Sequence, residues 1–159
     1  MNKLEVRHIE EIAYQLAVKW MGAWEPIPPF ITRFPEKLES SLNTPFQTYA
    51  KKPLYPTLAD KATILFYLMI KNHPFQNGNK RIAITTLLTF LAFNQKWLKI
   101  SNEELYRLAM RVAVSEPRDK DKIVRYVRGV IELELIDLSA RGIIKIEPHK
   151  HLGKGCFFL

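Results

Sequence analysis

The sequence predicts an all-α fold carrying one small extended flap. Three observations lead there. Two long apolar runs, Ala62 to Ile70 and Ile82 to Phe93, flank a nine-residue polar stretch from His73 to Arg81. Apolar residues also recur at helical spacing in the segments before and after them. Only the stretch from Asn43 to Tyr55, with its prolines, Phe46, Thr48 and Tyr49, reads as short extended pieces.

From His8 to about Gly22, Ile9, Ile12, Ala13, Leu16, Ala17 and Trp20 line one face of an amphipathic helix. Glu25-Pro26-Ile27-Pro28-Pro29 cannot continue it, because consecutive prolines lack the N–H and restrict their neighbours. This is a loop inside one domain, since too little lies upstream to fold alone. A short helix is predicted from Pro35 to Leu42, with proline early, where its missing N–H does no harm. Thr57 caps a helix running to about Asn72, with Asp60 in its first turn. That helix and the next, Ile82 to Phe93, are apolar over too much of their circumference to lie on a surface, so together they form the core.

Ser101 with Glu104 three residues later has the spacing of a capping box and opens another helix, whose inner face is Leu105, Leu108, Ala109 and Val112. Pro117 interrupts. A last helix is predicted from Asp119 to Ser139, with Ile123, Val124, Val127, Val130, Ile131, Leu135 and Leu138 inward and Gly142 as its end. The expected organisation is thus a single domain over 1–142 and a tail over 143–159. The sequence leaves open whether that tail docks as a strand, reaches a partner or is disordered, although Phe157-Phe158-Leu159 calls for apolar cover.

Composition narrows the function classes. Apolar residues at 47% and charged residues at 25% are ordinary globular values. No apolar run reaches the roughly 20 residues a membrane-spanning helix needs, and the mixed charges of Met1 to His8 do not resemble a signal peptide. The expected location is the cytoplasm. Cys156, the sole cysteine, makes neither an internal disulfide nor a cysteine-built metal cage. A formal net charge of +8 favours anionic partners, or is a plain solvated basic surface. Without zinc-finger or basic-zipper spacing, nucleic acid is a secondary idea.

The stretch His73-Pro74-Phe75-Gln76-Asn77-Gly78-Asn79-Lys80-Arg81 lies where one core helix stops and the next begins. A helix start has N–H groups without intrahelical partners and the positive end of the macrodipole, which together bind phosphate. Asn77, Gly78 and Asn79 suit that turn, because asparagine caps free amides and glycine accepts unusual backbone angles beside a ligand. His73 is a candidate general base, because histidine as a residue type can accept a hydroxyl proton without prior charging. Taken alone, it could equally bind the last carbonyls of its helix. Arg81 offers a planar fork to phosphate, or a salt bridge on a helix flank. Phe75 reads as an anchor that plugs the loop into the core.

These nine residues resemble the signature of the Fic/Doc family: His-Pro-Phe, any residue, Asp or Glu, Gly or Ala, Asn, Gly or Lys, Arg. Eight of the nine positions agree, and Asn77 stands where the family has an acid. Tyr55-Pro56-Thr57-Leu58 and Leu38-Glu39-Ser40-Ser41-Leu42 resemble the death-on-curing members, and the resemblance covers roughly Phe34 to Leu138. It implies a Fic-like helical fold and transfer of a phosphate-containing group from ATP to a protein hydroxyl. His73 would be the base, with Gly78, Asn79, Lys80 and Arg81 on the phosphates. By the same resemblance Asn77 is a weakened Mg²⁺ position, because the amide keeps an oxygen and loses the charge.

Lysine rather than glycine at position 80 resembles the death-on-curing branch and implies phosphorylation. Adenylylation is the alternative. Resemblance further implies elongation factor Tu as the target, a flap including Phe46, Thr48 and Tyr49 that pairs with the target, and a separate antitoxin. The family's inhibitory helix is poorly matched by Thr32-Arg33-Phe34-Pro35-Glu36-Lys37. A rival of another class is a non-catalytic Fic-fold binding module, suggested by Asn77. Intact His73 and Arg81 oppose it.

Overall fold

In the computed structural model of the chain, residues 1–21 and 25–138 are described, the side chains of Trp20 and Met21 excepted. Gly22, Gly142 and the tail 143–159 lie outside them. Helix α1 (Val6–His8) runs directly into a π-helical segment, Ile9–Tyr14, and then into α2 (Gln15–Met21). The predicted helix is therefore present, with a wider turn in its middle. Ile9, Ile12, Ala13 and Ala17 are buried as the spacing requires, and Tyr14 is buried with them. Helix α3 (Pro35–Asn43) carries proline in its first turn, where no N–H is missed.

A 3-10 turn, Thr44–Phe46, leads to a two-stranded antiparallel hairpin, β1 (Thr48–Tyr49) and β2 (Lys52–Pro53). Ala50 and Lys51 close it with φ of 48° and 64°, the doubly left-handed turn that matches strand twist. Its feet are held by one side chain. Lys61 is only 7% exposed; its Nζ donates to Pro45 O (2.9 Å) and Tyr55 O (2.6 Å) and lies 4.9 Å from the centroid of the Phe46 ring. Two carbonyls and a ring face together replace the water this ammonium gives up.

Helix α4 (Leu58–Lys71) begins at a complete capping box: Thr57 Oγ1 accepts from Asp60 N, and the Asp60 carboxylate accepts from Thr57 N. It is buried over most of its surface, as is α5 (Asn79–Phe93). The short link between them makes the pair antiparallel. At one end the chain start is bound to the exit of α5: Asn2 Nδ2 donates to Phe93 O (2.7 Å), and Asn94 Nδ2 donates to Asn2 O (3.0 Å). Phe46 packs on Phe90 there, with ring centroids 6.3 Å apart. At the other end lies the His73–Arg81 loop.

Strand β3 (Lys96–Leu98) and α6 (Asn102–Val114) follow, the helix opened by the Ser101–Glu104 capping box as predicted. Lys71, in the last turn of α4, donates to Ala113 O (3.0 Å) and Ser115 O (2.5 Å), closing the exit of α6 with a cation where the helix dipole favours one. Helix α7 (Lys120–Glu134) packs on α4, where Arg128 Nε lies 2.8 Å from Asp60 Oδ1.

The prediction that this helix continues to Ser139 fails. At Leu135 the backbone turns extended (φ −73°, ψ 122°), and β4 (Leu135–Asp137) pairs antiparallel with β3. Lys99 N donates to Glu134 O (2.8 Å) and Leu138 N to Gln95 O (3.0 Å), so these bonds to the strand edge replace further helical ones. Leu138 is still buried, from a strand instead of a helix. The all-α class with a small hairpin stands. Among the described residues, no helix is long and apolar enough to cross a membrane.

His8 offers a test of the N-terminal packing. Its Nδ1 accepts from Glu5 N (3.0 Å) and its ring lies 5.0 Å from that of Phe93. Burial first, and neighbouring Arg7 second, hold its pKa below 6.5. The neutral ring thus contributes stability that is complete above 6.5 and is lost as pH falls through the folded-state pKa. The unfolding midpoint should drop as pH is lowered from about 7 to about 5, and His8→Gln should flatten that slope in thermal unfolding followed by circular dichroism.

Candidate active site

The loop between α4 and α5 is fixed by reciprocal bonds. Asn79 Oδ1 accepts from Phe75 N (2.9 Å), and Asn79 Nδ2 donates to Phe75 O (2.7 Å). A first-turn residue of α5 thereby closes the loop on itself. Phe75 is buried, stacked 6.3 Å from Tyr14 and tilted 5.8 Å from Phe30, which fulfils its reading as an anchor. His73 is exposed and left-handed, with φ 49°. A β-carbon makes that conformation costly, so the surroundings must hold it.

Gly78 is the N-cap of α5 at φ 78° and is buried. Asn77 Oδ1 accepts from Gly78 N (2.6 Å), and Ile82 N is the donor that returns to Gly78 O (2.9 Å). The N–H groups of Asn79 and Lys80 precede that first helical bond and have no acceptor within the helix, as an anion site requires. Lys80 and Arg81 are half-buried at this end. The side chain of Asn79 is engaged with Phe75, so main-chain N–H is what this residue offers to an anion.

The proline loop 25–29 and the residues after it, to Phe34, lie against this turn. A β-carbon on Gly78 would stand 2.8 Å from Ile27 Cγ1. Arg81 Nη1 donates to Glu25 O (2.6 Å), and Phe34 N donates to Pro74 O (2.9 Å). Tyr14 fastens the segment: its hydroxyl, kept protonated by burial, donates to Pro28 O (2.8 Å). Ile31 is 82% exposed and Phe34 is 41% exposed on the same segment. Five residues, Tyr14, Glu25, Ile27, Phe30 and Phe34, thus reach the motif from outside it. In the sequence 25–29 showed only its prolines and 32–34 only the start of a poor match to an inhibitory helix, and neither signals a neighbour.

The structure does not bring Phe46 to the motif. Phe46 packs on Phe90, eleven residues beyond Asn79 along α5, about 16 Å at helical rise. Thr48 and Tyr49 are exposed on the hairpin whose feet Lys61 holds at the same distant end of the pair. The element that touches the motif is 25–34.

A family model described as the Fic/DOC family matches residues 3–91, more than half of the 159-residue chain. The chain belongs to the Fic/DOC family. No curated protein and no solved structure matches it. Fic/DOC membership supports transferase chemistry on proteins in general, and its members generally use ATP and Mg²⁺. The match covers His73 to Arg81 and the 25–34 segment together.

The donor set does not fit a magnesium ion held by this Fic/DOC chain itself. Asn77 contributes a neutral amide oxygen already bonded to Gly78 N. Among the described residues, no group of three or more His, Cys, Asp or Glu side chains could hold a metal ion. The positive charge of the site comes from Lys80, Arg81 and the start of α5.

Gly78→Ala tests the turn. Left-handed φ and the approach of Ile27 both oppose a methyl group, so the substitution should destabilise by about 1–3 kcal/mol in urea unfolding. Adding Ile27→Ala should recover the contact part and leave the backbone part.

Proposed function

We propose that the chain phosphorylates a hydroxyl side chain of a target protein from ATP, as the death-on-curing branch does. The observation that supports this most is the convergence at one end of the core pair: an exposed histidine, and a helix start flanked by Lys80 and Arg81. Transfer of a phosphoryl group needs little covalent work from the protein. It needs deprotonation of the acceptor, neutralisation of phosphate charge and alignment.

In this reading the acceptor hydroxyl gives its proton to the neutral ring of His73 as its oxygen attacks the terminal phosphorus. The bond from that phosphorus to its bridging oxygen breaks, ADP leaves, and the proton passes from His73 to solvent. The N–H groups of Asn79 and Lys80 bind phosphate oxygens at the start of α5, with Gly78 supplying the left-handed turn that aims them. Lys80 adds a point charge, and Arg81 exchanges the Glu25 carbonyl for a phosphate oxygen. Lysine at position 80 fills space that glycine would leave for the inner phosphates, which favours terminal transfer over adenylylation. Elongation factor Tu is the proposed target and a separate antitoxin the proposed restraint. Both follow from the branch resemblance alone.

The test is label transfer into a bacterial lysate, comparing ATP labelled at the terminal phosphate with ATP labelled at the innermost one. Terminal label, lost in His73→Ala, is the expected result; innermost label would instead establish adenylylation. Restoring a carboxylate with Asn77→Asp should raise Mg²⁺-dependent transfer several-fold, by analogy with other charge-assisted contacts. Unchanged or lower activity would remove weak cation binding as the limiting defect. Salt-sensitive nucleic-acid binding without turnover in any variant would favour a binding module.

A further inference from the structure

We infer that Ser41, on α3, is a positioning residue for His73, acting through Asn72. The inference rests on the reading of His73 as the base. Ser41 is fully buried at 0% exposure. Its hydroxyl donates to Lys37 O (2.7 Å), one turn back along its own helix. With that proton committed, the oxygen can only accept from its other neighbour, and Asn72 Nδ2 donates to it at 3.0 Å.

Asn72 is the C-cap of α4, immediately before His73. Its own N–H closes α4 onto Leu68 O, and its backbone is still right-handed, at φ −76° and ψ −14°. The next residue turns left-handed. Glycine is the usual occupant of such a position after a helix, because a β-carbon resists it. A histidine kept there has to be held from both sides. On the far side, Phe34 N donates to Pro74 O (2.9 Å). Both brackets come from one short stretch of chain, Phe34 just before α3 and Ser41 within it.

The direction of the His73 side chain follows from its φ. Were the turn to relax to a right-handed angle, the Cα–Cβ bond would swing away from its present course, and the base would miss the acceptor hydroxyl. Misplacement of about 1 Å costs on the order of 100-fold in well-aligned reactions. Phosphate binding at the start of α5 does not depend on this bracket, because Asn79 secures that turn separately. Ser41 therefore acts on turnover and leaves nucleotide affinity alone.

Ser41→Ala suits the test, since alanine fills a buried helical position without strain. In the label-transfer assay, kcat should fall roughly 10- to 100-fold with the KM for ATP unchanged. Asn72→Ala should behave alike, and the double variant should be no worse than either single one. A structural role alone would lower the unfolding midpoint and spare kcat. Unchanged kcat in Ser41→Ala, or additive losses in the double variant, overturns the proposal. The ¹³Cα shift of His73 supplies a readout independent of activity. If the wild type transfers no label, the function reading fails, and the bracket is still decided by that shift: movement in Ser41→Ala supports it, and identity with wild type overturns it.

Discussion

Helices α4 and α5 are apolar around nearly their whole circumference, and polar chemistry is therefore confined to the ends of the pair. Every other element is arranged by that constraint. At one end the chain start, Phe46 and Lys61 close the pair with bonds and ring contacts. At the other, the connecting loop carries the histidine, the amides and the cations. A loop in that place is rigid because it is short and its anchors are buried: Phe75 sits in an aromatic cluster, and Asn79 bonds both polar groups of the Phe75 main chain.

Local signals in the sequence were reliable where the chain answers to its own neighbours. Thr57 with Asp60 and Ser101 with Glu104 form the boxes their spacing announces, and Pro35 begins α3. The motif was legible for the same reason, since nine adjacent residues hold its composition. What could not be read was contact between distant segments. The strand at 135–137 exists because the edge of 96–98 is beside it, and nothing in Leu135-Ile136-Asp137 forbids helix. The flap expected at 43–55 does form a hairpin, yet antiparallel packing carries Phe46 to the end away from His73. Of the segment that meets the motif, 25–29 showed only its prolines and 32–34 only part of a poor inhibitory-helix match.

Charge in this site has an unusual source. Members of the family normally bring an acid and a metal ion to the phosphate, and here position 77 holds an amide bonded to the next residue. In the proposed reading, attraction for phosphate then falls on two long cations and on main-chain N–H groups that have no acceptor within the helix. The main-chain part is fixed in place before any ligand arrives, whereas the Arg81 side chain must be drawn from a present partner. Arg81 is already bonded to Glu25 O, so its engagement with a ligand is an exchange of acceptors.

The π-helical segment Ile9–Tyr14 holds one residue more than regular winding would place there. Such a surplus has an arithmetic consequence. Rewinding the same residues as ordinary α-helix would let α1 and α2 join without interruption, a locally favourable outcome. It would also change the angular phase of the two halves by about 100°. Either Ile9 and Ile12 would leave the core, or the Tyr14 ring would leave Phe30 and Phe75 and its hydroxyl would lose Pro28. The irregular turn is thus a gear coupling: it lets one helix address the core with its first half and the proline segment beside the motif with its second.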